Sequence, residues 1–181
     1  AVVRSVDRLN DLVSRLLYFA RSGHDARRPV DLNALVRDAL ELMRAQADTQ
    51  KVTVGADLDA NLPPLAGSAQ ALQQVVLNLT ANALQAMPGG GRLECATRWL
   101  PGEDQAELRV RDTGPGVPAE ARARLFEPFF TTRAEGTGLG LALCREIVRQ
   151  HGGSIDLVDG YGPGAEFVVR LPRGKLVEDR Q

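Results

Sequence analysis

The chain has 181 residues, of which 44% are hydrophobic, 25% charged and 4% aromatic, and its formal net charge is −1. That length suits one ordinary domain with an appendage, and the balance is that of a soluble globular chain whose core is Leu, Val and Ala rather than aromatic rings. Near-neutrality argues against a polyanion-binding surface, and no apolar run approaches the roughly 20 residues of a membrane span, so neither nucleic acid nor membrane is an expected partner. No signal peptide is visible.

In chain order, Val2, Val6, Leu9, Val13, Leu16 and Ala20 recur at alternating spacings of four and three. This heptad seam predicts one long helix over residues 1–22, of the kind that pairs in a bundle or coiled coil. Residues 23–29 read as a linker, and residues 30–172 as the main domain, followed by a tail at 173–181. Within the domain, Val30–Leu32 reads as a short strand, with Asn33 capping a helix that runs to about Asp48. Lys51–Ala56 alternates like a strand, and Pro63–Pro64 marks a loop. Ser68 can cap a second helix, about Ala69–Met87, ending at "PGGG". Arg92–Trp99 and Glu107–Asp112 read as strands. Pro118 suits the first turn of a short helix. A third long helix begins in "GTGLGLALCREIV" (Gly136–Val148) and ends at "HGG", where Gly152 can close it in a left-handed conformation. Ser154–Val158 and Ala165–Leu171 read as two last strands. Because strands and helices do not simply alternate, the expectation is an α/β (α+β) two-layer sandwich: a mixed sheet with helices on one face. Cys95 and Cys144 lack partners at metal-ligand spacing and read as reduced core thiols, which fits a cytoplasmic setting. The chain starts at Ala1 inside a helical pattern and is expected to be part of a longer protein.

Three stretches carry chemistry. In the glycine run, no Gly-Lys-Ser/Thr completes a phosphate loop, and the spacing G-x-G-x-G differs from the dinucleotide fingerprint. Gly138 and Gly140 nevertheless permit close backbone approach, and the free N–H groups of a helix start attract anions. A tightly packed helix start that binds nothing is the alternative. On the second helix, Asn78, Asn82 and Gln85 fall within about 60° of one another. They either satisfy neighbouring loops or offer an amide oxygen to Mg²⁺. In "DTGPGV", Asp112 ends a strand and is followed by Gly114 and Gly116. A carboxylate there can accept from the exocyclic amine of adenine and disfavours guanine; an ordinary turn is the alternative.

Taken together and in order, "QQVVLNLTANAL", "DTGPGV", "LFEPFFTTR", "GTGLGLALCREIV" and "GPGAEFVVRLP" resemble the asparagine, first glycine, phenylalanine, second glycine and final strand motifs of sensor histidine kinases. "PFFTTR" with "NALQAMP" is most similar to the nitrogen-regulation subgroup. The resemblance implies the Bergerat-type fold shared by histidine kinases, gyrase and chaperone ATPases: a mixed five-stranded sheet, three long helices and a lid at about Thr131–Thr137. It implies ATP and Mg²⁺ as ligands, with Asn82 on the metal, Asn78 and Gln85 beside the phosphates, and Asp112 on adenine. Gly114, Gly116, Val117 and Ala165 would shape the base pocket. Phe126, Phe129 and Phe130 would anchor the lid. Thr131, Thr132, Arg133, Gly136, Thr137, Gly138, Leu139 and Gly140 would face the phosphates, with Arg133 on the terminal one. Two departures stand out. Many members carry a basic residue where this chain has Gln85, and a hydroxyl where it has Ala165.

Hydrolytic relatives place Glu at the position of Asn78; an amide cannot act as a general base, which points to transfer rather than hydrolysis. The resemblance implies transfer to a histidine on a dimerisation hairpin, whose second helix residues 1–22 resemble, then onward to a response-regulator aspartate. His24 is read as a linker residue and His151 as a helix-end or surface residue, so the acceptor is expected elsewhere. The partners implied are ATP or ADP, a response regulator, and the hairpin of its own or a second subunit in a homodimer. A degenerate module that binds nucleotide without catalysis is the alternative.

Overall fold

The computed structural model describes residues 27–133, 136–158 and 163–175. The heptad helix and His24 lie outside the described residues. In order, the elements are β1 (Arg28–Val30), α1 (Leu32–Gln50), β2 (Val52–Leu58), β3 (Leu65–Gly67), α2 (Ala69–Ala86), β4 (Gly91–Leu100), β5 (Gln105–Asp112), the one-turn α3 (Ala119–Arg122), α4 (Gly140–Gln150), β6 (Ser154–Val158) and β7 (Glu166–Pro172). The sheet order is β2-β4-β5-β7-β6. The β2–β4 pair is parallel and the other three are antiparallel. The parallel pair needs a crossover, which α2 supplies. Helix α2 packs against both α1 and α4, and the three helices lie against this sheet. This is the expected mixed five-stranded, two-layer architecture.

Strand β5 shows how the layers arise. Ala106, Leu108 and Val110 alternate toward the helices and are buried. Between them, Glu107 and Arg109 sit on the other face, as the period of two requires. There Arg109 and Arg170 both donate to Glu107, at 2.7 and 3.0 Å, and Arg109 approaches Glu166 at 3.4 Å. On the helix side, Leu72, Val75, Val76, Leu79 and Ala83 give α2 a buried stripe. Burying each larger side chain contributes about 1.5–3 kcal/mol. Cys95 and Cys144 are buried and not in a disulfide with each other, as expected.

Ser68 accepts from the Ala71 N–H at 3.3 Å and starts α2 as predicted. Asn33 is not the cap of α1. Asp31 is, accepting from the Ala34 N–H at 3.0 Å. Asn33 is instead a buried bridge: its amide donates to the Asp59 carbonyl, and its oxygen accepts from the Thr97 hydroxyl. Helix α1 ends two residues beyond the expected Asp48, at Gln50, where Lys51 takes a left-handed conformation with φ of 59°.

Two boundaries also move. The linker was expected to reach Pro29, yet Arg28 and Pro29 belong to β1. It pairs antiparallel with β3, a strand not anticipated after the prolines. The tail was expected from Arg173. That residue is tied into the domain: its N–H donates to the Asp104 carbonyl, and its carbonyl accepts from Ala66. Among the described residues, no helix is long and apolar enough to cross a membrane.

Candidate functional site

The site gathers where the middle of α2, the end of β5, the start of α4 and the turn before β7 meet. Its geometry is set by backbone crowding at Asp112. Gly164 has φ of 126°, and a β-carbon there would overlap the Asp112 carbonyl oxygen. Gly116 has φ of 74°, and a β-carbon on it would come within 2.8 Å of the Gly164 carbonyl oxygen. Only glycine adopts these conformations without strain and leaves the room. The three glycines Gly114, Gly116 and Gly164 therefore let two loops close in on one carboxylate.

Asp112 is buried. Its Oδ1 accepts from the Gly114 N–H at 2.8 Å and the Ala165 N–H at 3.3 Å. Both bonds fall on Oδ1, and among the described residues Oδ2 has no donor. The carboxylate is thus oriented with one oxygen left over, as a base-reading acceptor requires. Burial raises the Asp112 pKa above the usual carboxylate range; the two N–H bonds and the nearby Arg133 charge oppose that. Ala165 brings no hydroxyl but contributes its backbone N–H to this arrangement.

On α2 the three polar residues are graded by depth. Asn78 is buried, Asn82 half-buried and Gln85 exposed. The Asn78 amide donates to the Gly140 carbonyl at 3.4 Å and accepts from Gln74 at 3.1 Å. It ties α2 to the first residue of α4. Gln74, one turn earlier, was not singled out in the sequence, although its i, i+4 spacing to Asn78 was readable. The Asn82 side chain has no hydrogen bond among the described residues. An amide oxygen suits Mg²⁺, which binds few protein ligands and keeps phosphate and water around it. No cluster of three His, Cys, Asp or Glu able to hold a metal exists among the described residues. The donor chemistry therefore fits a metal that arrives with a phosphate ligand.

Helix α4 starts without a side-chain cap. Its first intrahelical bond is from the Leu143 N–H to the Leu139 carbonyl. The N–H groups of Gly140, Leu141 and Ala142 thus have no partner within the helix, leaving an electropositive helix start. The Leu139 side chain is buried in the core, so only its backbone can serve a ligand. Gly138, with φ of 67°, has room for no β-carbon because the Phe129 Cα would be 2.7 Å away.

The phenylalanines divide. Phe126 packs edge-to-face on Phe167 with centroids 6.4 Å apart. Phe130 lies under the Arg124 guanidinium at 4.6 Å. The Phe129 ring, expected as an anchor, is 67% exposed. Its backbone does the holding: φ is 65°, and its N–H donates to the Gly138 carbonyl at 3.0 Å. Val117 packs against the core. The Thr131 hydroxyl accepts from the Arg133 N–H, and the Gly136 N–H donates to the Arg133 carbonyl. Thr132 is exposed and Thr137 half-buried. Arg133 donates from Nη1 to Gln85 Oε1 at 2.6 Å and from Nη2 to the Asn82 carbonyl at 3.0 Å. Nothing in the sequence signalled that link.

His151 is the cap of α4, as one of its two expectations had it, but it is not a surface residue. Its Nδ1 lies 2.7 Å from the Ile147 carbonyl, and its Nε2 accepts the Ser68 N–H at 3.1 Å. Those partners assign the proton to Nδ1 and leave no nitrogen free for chemistry.

Residues 67–175 match the family described as histidine kinase-, DNA gyrase B-, and HSP90-like ATPase. The chain belongs to this family. It is 36% identical over 171 residues to the signal transduction histidine-protein kinase AtoS of Escherichia coli K12, covering 94% of this chain and 28% of AtoS. It is 38% identical over 182 residues to the sensor histidine kinase ZraS of Escherichia coli O157:H7, covering 99% of this chain and 39% of ZraS. The chain thus spans about a third of the length of these curated relatives. The catalytic domain of histidine kinase ThkA superposes with a TM-score of 0.75 at 26% identity, over 82% of this chain and 97% of that one. Full-length ShkA, solved in complex with AMPPNP, superposes with a TM-score of 0.81 at 32% identity, over 93% of this chain and 36% of that one. The described domain is the ATP-binding catalytic domain of the sensor histidine kinase type.

Proposed function

We propose that the domain binds Mg-ATP and presents the terminal phosphate to a histidine of a dimerisation hairpin, for onward transfer to a response-regulator aspartate. The observation that carries the reading is the oriented Asp112 carboxylate, with Oδ2 unengaged, beside the uncapped start of α4. Asp112 accepts from the adenine amine. Asn82 would hold Mg²⁺, which when bound neutralises phosphate charge. The N–H groups at the start of α4 and the Arg133 guanidinium orient the phosphate chain. An imidazole nitrogen then attacks in line, the bond to the bridging oxygen breaks, and ADP leaves; the protein contributes alignment and charge stabilisation.

Asn78 bears on transfer against hydrolysis. Its amide is engaged on both sides and cannot take a proton from water. Neither histidine of the chain is assigned as acceptor: His151 has both ring nitrogens engaged, and His24 lies outside the described residues. A hairpin supplies the acceptor, with a homodimer and a cytoplasmic setting as the arrangement that suits it.

Thermal denaturation with ADP tests the site. At 100-fold excess over its Kd a ligand adds about 2.7 kcal/mol, which in a domain of this size raises Tm by about 5–10 °C. The wild-type chain shows that shift, and Asp112→Asn, which puts an amide donor toward the adenine amine, loses it. An unchanged shift in the variant removes Asp112 from the adenine role.

A further inference from the structure

Gln85 and Asn82 are three residues apart and share one face of α2. Arg133 reaches this face from the loop after Phe130 and bonds the Gln85 side chain and the Asn82 carbonyl, at 2.6 and 3.0 Å. Both acceptors are neutral. Other arginines of the domain pair with carboxylates, as Arg109 and Arg170 do with Glu107 and Arg149 with Glu146. Arg133 has no carboxylate within ion-pair distance among the described residues. Its charge is therefore held in place by neutral acceptors, with Asp112 acting on it only from beyond ion-pair distance.

A guanidinium has five N–H donors, and these two bonds use two of them. The remaining donors are available to an oxyanion beside the unpartnered Asn82 amide. A planar fork held on one side by amide and carbonyl oxygens is pre-organised for phosphate on the other, so less side-chain freedom is lost on binding.

We propose that Gln85 is a positioning residue: with the Asn82 carbonyl it holds the Arg133 guanidinium beside the metal-binding amide, so that the cation for the nucleotide's terminal phosphates is delivered by a loop instead of by α2 itself. The inference rests on the reading of this site as a Mg-ATP site. It explains how α2 carries a neutral residue at position 85 and still has a cation against that position.

The test is calorimetric titration of the chain with Mg-ATP and with AMP, which keeps the base and lacks the terminal phosphates. Gln85→Leu removes the acceptor and leaves the charge. It weakens ATP by about tenfold, the value of one charge-assisted hydrogen bond, and leaves AMP unchanged. Arg133→Gln weakens ATP by at least as much, and Gln85→Leu adds nothing on top of it, because the two act as one unit. Gln85→Lys combined with Arg133→Gln returns the cation to α2 and restores ATP to within about threefold of wild type. Both positions are exposed, and matched melting curves establish that the variants are folded.

Wild-type ATP affinity in Gln85→Leu, additive losses in the double variant, an equal loss for AMP, or failure of the charge swap to rescue each overturns the assignment of Gln85. None of these touches the nucleotide reading, provided the wild-type chain binds ATP and AMP. A wild-type chain that binds neither removes both.

Discussion

Gly164→Ala is the sharpest packing test of the site, because the missing β-carbon faces the Asp112–Thr113 backbone directly. An added β-carbon overlaps the Asp112 carbonyl oxygen and lies 2.9 Å from the carbonyl carbon and 3.1 Å from the Thr113 Cα. All three are backbone atoms, so no side-chain rotation relieves the clash. The backbone itself must shift, at about 1–3 kcal/mol for overpacking. The φ of 126° costs an L-residue about 1–2 kcal/mol more. The sum is about 2–5 kcal/mol. At about 2–4 °C per kcal/mol for a domain of this size, Tm falls by about 4–20 °C. The relaxation moves the β5 end that carries Asp112, so ADP binding weakens in the protein that remains folded. Differential scanning calorimetry with and without ADP reads both effects. A Tm within 2 °C of wild type, with ADP binding intact, refutes the argument that the glycines are there to let backbone crowd around Asp112.

Two further predictions concern single side chains. Asn82→Ala removes the amide oxygen assigned to Mg²⁺, so the Mg²⁺ dependence of ATP binding disappears in a titration at fixed nucleotide; a retained dependence places the metal elsewhere. His151 bears on acid stability. Burial holds its pKa below the ordinary 6.5, against the bond to Ile147, and the Arg27 charge adds to the lowering. A histidine kept neutral in the fold contributes stability that is fully present above about pH 6.5 and is lost as pH falls toward the depressed folded-state value. Protonating Nε2 also costs it the Ser68 N–H bond at the start of α2. Tm therefore falls between about pH 7 and 5, and His151→Gln flattens that fall. Identical profiles for the two proteins contradict this assignment.

How much was legible in the sequence followed the range of the interaction. The Ser68 cap and the Gly152 helix end are local, and both were readable from side-chain type and spacing. Asp31 and Asn33 are both good caps. Choosing between them required knowing that Asn33 meets Asp59 and Thr97, 26 and 64 residues away. Strand β3 was missed because three residues after two prolines carry no periodicity; it exists only through pairing with β1. Within the site, Asp112, Asn78 and Asn82 stand in motifs whose order was visible. The contribution of Gly164 depends on a loop folding back over Asp112, and the Arg133–Gln85 bond spans 48 residues. Gly164 stands in the quoted "GPGAEFVVRLP" motif, but its closeness to Asp112, like the Arg133–Gln85 bond, is a product of tertiary packing. Phe129 shows the opposite failure. A large apolar residue in a motif predicted an anchored ring, whereas its positive φ turns the ring outward and leaves the backbone to hold Gly138.

The central claim is phosphoryl transfer to a histidine, and one measurement reaches it. The chain is incubated with γ-labelled ATP and Mg²⁺ together with a dimerisation hairpin bearing the acceptor histidine, supplied separately and, in a second protein, fused ahead of Ala1. The account predicts label on the hairpin in the fused protein, stable to alkali and lost in acid as expected of a phosphorus–nitrogen bond, and none when the acceptor histidine is replaced by glutamine. Tight ATP binding with no label on the hairpin in either format contradicts it and makes the domain a nucleotide-binding module without transfer.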